Sequence, residues 1–177
     1  MADDQEARPE RWLSPEQLQE WVAVMALVMT LPASLDAQLR RDTGLNLFEY
    51  HVLVELGETR GGMRVMSELA TRTRGSLSRL SHAVSRLEAA GWVERRACGG
   101  AGRRTEAHLT PAGRQKLEQS APGHVREARR LVIDALSAEE LEDLGAAARR
   151  IVAVTAPEIA ATLPVPGRSP SGGTPRG

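Results

Sequence analysis

The chain has 177 residues, 41% hydrophobic and 26% charged, enough for one domain with a real core or a domain with tails. Aromatic residues make up 3%, so aliphatic side chains must fill that core, and a single cysteine excludes an internal disulfide framework and fits a cytoplasmic protein. The formal net charge is zero, and no apolar run approaches the ~20 residues of a membrane span, Val22 to Leu31 being too short, so no membrane partner is expected. Residues 1–11 read as a flexible N-terminus, acidic and without a signal-peptide pattern. Ser14-Pro15-Glu16-Gln17 is a capping box that opens a first helix. Leu18, Trp21, Val22, Met25, Val28 and Met29 then recur at helical spacing. Pro32 is expected to kink that helix or end its first part, with Leu35 and Leu39 continuing the pattern to about Asp42 and Gly44 stopping it. This first segment spans residues 12–45.

Residues 46–110 carry a denser set of signals. Asn46 caps a second helix with little polar face, and Gly57 and Gly61-Gly62 break the chain after it. A short helix follows around Ser67, Leu69 and Ala70, then a turn over Arg72 to Gly75. Ser76 or Gly75 caps a helix that runs to Ala90 and stops at Gly91. Its buried stripe is expected at Leu77, Leu80, Val84 and Leu87, which leaves Ser76, Ser78, Arg79, His82, Ala83 and Arg86 exposed. Residues 92–96 and 105–109 read as the two strands of a hairpin with a Gly99-to-Gly102 tip, the one sheet expected. Thr110-Pro111 restarts helix over residues 111–163, with breaks expected near Pro122-Gly123 and at Leu136-Ser137, where Ser137 and Glu140 form another capping box. Residues 164–177, rich in proline and glycine, are expected to be a disordered tail.

Charge is segregated along this frame. Residues 1–63 carry a net −6, residues 64–104 carry nine arginines against three glutamates for +6, and the remainder is neutral. A short helix, a turn, a helix and a glycine-tipped basic hairpin describe a winged helix-turn-helix, whose second helix fits the major groove of double-stranded DNA. The expected base-reading face is Ser76, Ser78, Arg79, His82 and Arg86. Arg72 and Arg74 in the turn are expected at phosphates, and Arg95, Arg96, Arg103 and Arg104 in the wing at the minor groove. The fold class is therefore mainly α with a small β-hairpin. The competing reading is a winged domain used for protein contacts or architecture, without sequence-specific DNA binding.

Three stretches carry a resemblance to the MarR family of transcriptional regulators. They are Met66-Ser67-Glu68-Leu69-Ala70 with Ser76-Leu77-Ser78-Arg79-Leu80, then Arg86 through Arg95, and Arg103 with Leu109-Thr110-Pro111-Ala112-Gly113. Leu31-Pro32, Leu35-Asp36, Leu39 and Phe48-Glu49-Tyr50 resemble the version common in actinobacterial members. The resemblance implies a homodimer built from the first and last helices, a palindromic operator, and an effector cleft between the dimer module and each winged domain. It departs from the family's Asp-x-Arg wing motif at Ala101-Gly102-Arg103. Trp21, Met25, Met29, Phe48 and His51 are the candidate lining for a small-molecule effector, although the same residues also read as core or dimer packing. Cys98, beside Arg95 and Arg96, reads as a small residue closing a strand. His51, His82, His108 and His124 share no helical i, i+3 or i+4 spacing, so no metal site is expected, and no phosphate loop, nucleophile elbow or carboxylate pair suggests an enzyme or a cofactor.

Overall fold

The computed structural model describes residues 12–97 and 104–164. The expected hairpin tip and most of the expected tail, with Cys98, Ala101 and Arg103, lie outside the described residues. The chain divides into two compact units, residues 1–34 and 35–177.

In the first unit, helix α1 (Pro15–Thr43, continuing into the second unit) begins as its sequence dictates. The Ser14 Oγ accepts from the Gln17 N–H at 3.2 Å, and the Gln17 side chain accepts from the Ser14 N–H at 2.9 Å. The helix does not end at Pro32. Pro32 and Val28 are both exposed, so water can meet the Val28 carbonyl that proline leaves without a donor. Trp21, Val22, Val28 and Met29 are exposed as well. An 18-residue window of α1 is apolar enough, by length and composition, to cross a membrane, against the expectation that no stretch came near. A count of uninterrupted apolar residues misses it, because isolated polar residues such as Thr30 and Asp36 hardly lower an average.

The second unit is built around α2 (Leu47–Gly57), which buries Phe48, Tyr50, Val52, Leu53 and Leu56. Strand β1 (Met63–Val65) leads into α3 (Met66–Arg72), then α4 (Leu77–Ala89), β2 (Val93–Ala97) and β3 (Thr105–Leu109). The sheet has the order β1-β3-β2, antiparallel throughout, with Val93 opposite Leu109, Arg95 opposite Ala107, and Arg64 opposite Ala107 from the other side. The expected hairpin is thus two strands of three; β1 is too short to show any alternation of its own. On α4 the buried positions are Leu80, Ala83, Val84 and Leu87. Leu77, expected inside, is 56% exposed, and Ala83, expected outside, is fully buried. The stripe follows i, i+3, i+4, i+7 from Leu80, and Leu77 lies one turn beyond it, at the helix start.

Helix α5 (Pro111–Leu131) opens on the Thr110 cap and runs through Pro122-Gly123 without the expected break. Here Gly123 packs close to the end of α1: a Cβ on it would lie 3.3 Å from the Gln38 amide nitrogen. The sole lysine, Lys116, donates to the Thr43 carbonyl at 2.6 Å and lies over the Trp92 ring. A one-turn 3-10 helix (Ile133–Ala135) precedes α6 (Ala138–Thr155), which opens on the expected Ser137–Glu140 box, and a short α7 (Pro157–Ala160) follows. Neither α6 nor α7 buries a residue; Leu144, Ile151 and Val154 of α6 are exposed.

Gly113 is the tightest point of the packing. A Cβ there would meet the Trp92 carbonyl oxygen at 2.0 Å, a backbone atom that no rotamer change can move aside. Gly113→Ala is expected to cost more than the ~1–3 kcal/mol of ordinary overpacking, read as a large drop in thermal unfolding temperature.

Candidate nucleic-acid interface

The turn between α3 and α4 is closed by backbone bonds from Arg74 N–H to Thr71 and from Gly75 N–H to Ala70, at 3.1 and 3.0 Å. They hold Arg74 at φ +57°, the one non-glycine residue at positive φ among those described. The Ser76 Oγ then caps α4 by accepting from the Arg79 N–H at 3.1 Å. Ser78, Arg79, His82 and Arg86 are all exposed along α4, so the helix presents most of its expected reading face to solvent.

The two arginines of that face have different partners. Arg79 places its guanidinium carbon 4.2 Å from the centre of the Phe48 ring, a cation–π contact with α2. Arg86 donates through Nε to Glu49, whose side chain is 8% exposed. The other Glu49 oxygen accepts from the Asn46 N–H at 2.9 Å, completing a capping box in which the Asn46 side chain accepts from the Glu49 N–H at 2.8 Å. Asp36 adds a further bond to this helix start, accepting from the Leu47 N–H at 2.8 Å and from Arg40 at 2.6 Å. Burial acts to raise the Asp36 pKa, but these hydrogen bonds outweigh it and hold the carboxyl below its usual value.

Elsewhere in the basic segment, the same pairing recurs. Glu55 of α2 takes Arg72 at 3.0 Å and Arg64 at 3.7 Å, and Arg64 also pairs with Glu68. Arg95 folds back onto α4, donating to the Ser81 carbonyl at 2.7 Å and the Ser85 hydroxyl at 2.8 Å, with Glu88 3.6 Å away. Arg96 pairs with Glu94 at 2.7 Å, and Arg104 is exposed. Sequence reasoning missed Glu49 and Glu55. Their signal was available: a carboxylate on a helix with almost no polar face has to find a cation.

Of the candidate effector residues, Trp21, Met25 and Met29 lie on α1 in the first unit, and Phe48 belongs to the core of the second. His51 lines a cavity of about 210 Å³ with Val54, Glu55, Arg72, Thr73 and Arg74. His51 is exposed as a residue, yet desolvation of its ring against the cavity wall pushes its pKa down, helped by the charges of His124 and Arg74 and opposed by Glu55. Burial also lowers the His124 pKa, where the ring centre lies 4.6 Å from that of Tyr50.

Compared with known proteins, residues 43–104 match the family model described as "MarR family". The chain is similar to Sco3205, a MarR family transcriptional regulator from Streptomyces coelicolor solved in complex with DNA. That match has 39% identity, a TM-score of 0.78, and covers 81% of this chain and 90% of that one. AbsC, another MarR family regulator from Streptomyces coelicolor, matches at 34% identity and TM-score 0.74 over 85% of this chain and 99% of its own. Sco5413, from the same organism and family, matches at 25% identity and TM-score 0.68 over 82% and 98%. No match is found among curated proteins.

Two outcomes follow from the geometry. Arg86→Ala strands the Glu49 carboxylate in a buried position and is expected to cost about 1–3 kcal/mol in urea unfolding; adding Glu49→Gln, which keeps the cap acceptor, should recover part of that loss. His51 and His124 both have folded-state pKa values below the ordinary 6.5. Their neutral forms therefore stabilise the fold fully above about pH 6.5, and that stability is lost as the pH falls through the lowered values. Urea midpoints measured from pH 7.5 down to 5 should fall, and His51→Gln with His124→Gln should flatten the dependence.

Proposed function

This chain belongs to the MarR family, and from that premise we propose that it is a homodimeric, sequence-specific DNA-binding regulator of transcription, a repressor released from a palindromic operator by a small-molecule effector. One observation carries the reading: α4 holds an exposed N-terminal face with Ser78, Arg79 and His82, in a chain 39% identical to a regulator solved on DNA. A helix so presented fits the major groove, with serine and arginine suited to base edges. Ser78, Arg79 and His82 are assigned to bases. Ser76, Arg72 and Arg74 are assigned to phosphates, where a hydroxyl that already caps the helix and a tight turn with Arg74 at positive φ serve best. Arg95, Arg96, Arg103 and Arg104 belong to the wing. Arg86, neutralised by Glu49, steadies α4 more than it reads sequence.

Residues 12–45 and 111–163 are assigned to the dimer. The exposed apolar side chains of α1 in the first unit, and separately Leu144, Ile151 and Val154 of α6, are the surfaces that a second copy would bury. Two winged domains related by a dyad then call for half-sites about one helical turn apart. His51, on the cavity it lines with Val54, Glu55, Arg72, Thr73 and Arg74, is the assigned effector residue, and the cytoplasm the assigned location; no catalytic role is assigned.

Selection of duplexes from a random pool by the purified protein tests this reading. It should return a palindrome bound by a dimer in sedimentation. Four charged phosphate contacts, Arg72 and Arg74 in each half-site, would lower the affinity ~10²-fold between 50 and 200 mM salt. A monomer, or equal binding to every duplex, would leave only the architectural reading.

A further inference from the structure

Arg79 occupies the third position of α4, where the first-turn N–H groups and the helix dipole make the local field positive even with Ser76 capping the Arg79 N–H. A guanidinium placed there gains from a compensating partner, and the partner in contact is an aromatic face, not a hydrogen-bonded carboxylate. That difference matters chemically. The Glu49 carboxylate uses up an edge N–H of Arg86 and cancels its charge. The Phe48 ring meets Arg79 through π-electron density, leaving the guanidinium edge N–H groups for a guanine O6/N7 pair; the Asp36 carboxylate acts on Arg79 through charge alone, with no hydrogen bond to those edges.

The ring is also a fixed platform. Phe48 is only 8% exposed, and its Cζ and Cε2 press so close to Gly75 that a Cβ there would lie 2.6 and 2.7 Å from them. The helix start that carries Phe48 is held by the Asn46–Glu49 box and by Asp36 on the Leu47 N–H. A long, rotamer-rich side chain at the protein surface is thereby given one preferred place before any ligand arrives, which removes part of the ordering cost of binding.

We propose that Phe48 is a positioning residue for base reading: without touching DNA, its ring holds the Arg79 guanidinium ready and so sets how sharply one base pair per half-site is discriminated. This rests on the assignment of Arg79 to a base.

Phe48 is the only phenylalanine in the chain, so biosynthetic incorporation of monofluoro- or trifluorophenylalanine alters this ring alone. Fluorination drains the ring's π-density with little change of shape. Binding is measured to a duplex selected from a random pool and to single-base-pair variants of it, alongside Arg79→Ala, which should relax preference at one pair per half-site. Discrimination at that pair should fall stepwise with fluorination, by about two- to five-fold per half-site at the trifluoro stage. Affinity for unrelated duplex and the unfolding temperature should stay unchanged. In an Arg79→Ala background the series should be flat. Phe48→Leu, which keeps an apolar side chain in the core, should reproduce the loss and serves if the trifluoro protein does not fold. Unchanged discrimination in the fluorinated and leucine proteins, while Arg79→Ala relaxes it, overturns the role of Phe48 and leaves Arg79 as a reader. If Arg79→Ala relaxes no position, the base assignment of Arg79 falls, and the proposal with it.

Discussion

Burying a carboxylate on an apolar helix costs several kcal/mol unless a cation meets it, and α2 buries or half-buries two. Glu49 is met by Arg86 from α4, and Glu55 by Arg64 from β1 and Arg72 from α3. Three successive elements of the basic segment are therefore tied, each by charge, to one helix from the acidic part of the chain. The apolar contacts of Leu53, Leu56, Leu69, Leu80 and Val84 supply most of the attraction between these helices, but such contacts are non-directional. The ion pairs add direction: Arg86 ties the outward side of α4 to Glu49, and Arg72 ties the end of α3 to Glu55. The proposed reading face is in this sense anchored at one point by Glu49, which holds Arg86, while Glu55 holds the end of the helix before it.

Much of this was legible in the chain because it rests on local chemistry. The caps at Ser14, Asn46, Ser76, Thr110 and Ser137 each stand where the sequence puts a short oxygen-bearing side chain before a helical pattern. The stops at Gly44 and Gly91 coincide with positive φ, which glycine adopts without strain. What escaped was decided by partners distant in sequence. Strand β1 exists only because β3 is there to pair with it, and three residues carry no period. Proline lacks a donor, which makes Pro32 and Pro122 expected breaks; both sit on exposed sides where one missing bond is cheap. Leu77 and Ala83 exchange their expected places because side-chain type is a poor guide to facing, which follows the contact with α2 and α3.

The candidate site divides in the same way. That Arg79 and Arg86 lie on one exposed face could be read from spacing alone, but their unlike environments could not, since Phe48 and Glu49 lie some thirty residues earlier. The segment's formal +6 likewise overstates what a polyanion would meet. Arg64, Arg72, Arg86, Arg95 and Arg96 each have a carboxylate within 4 Å, and two of those carboxylates lie in the acidic first third of the chain. The field at the surface is shaped by the arginines whose partners are neutral or whose carboxylates are themselves exposed to water.

The sheet order β1-β3-β2 has a consequence for how such a molecule stays soluble. A three-stranded sheet has two open margins, and unpaired backbone groups along a margin invite a foreign strand to zip on. One margin here is β1, whose three residues offer too short a ladder to hold an intruder. The other is β2, where Glu94 and Arg96 project from the same side as an ion pair, a charged fringe that a docking strand would have to strip of water. Unwanted strand addition is thus discouraged at both margins, and with it the open-ended stacking of strands that builds a fibre.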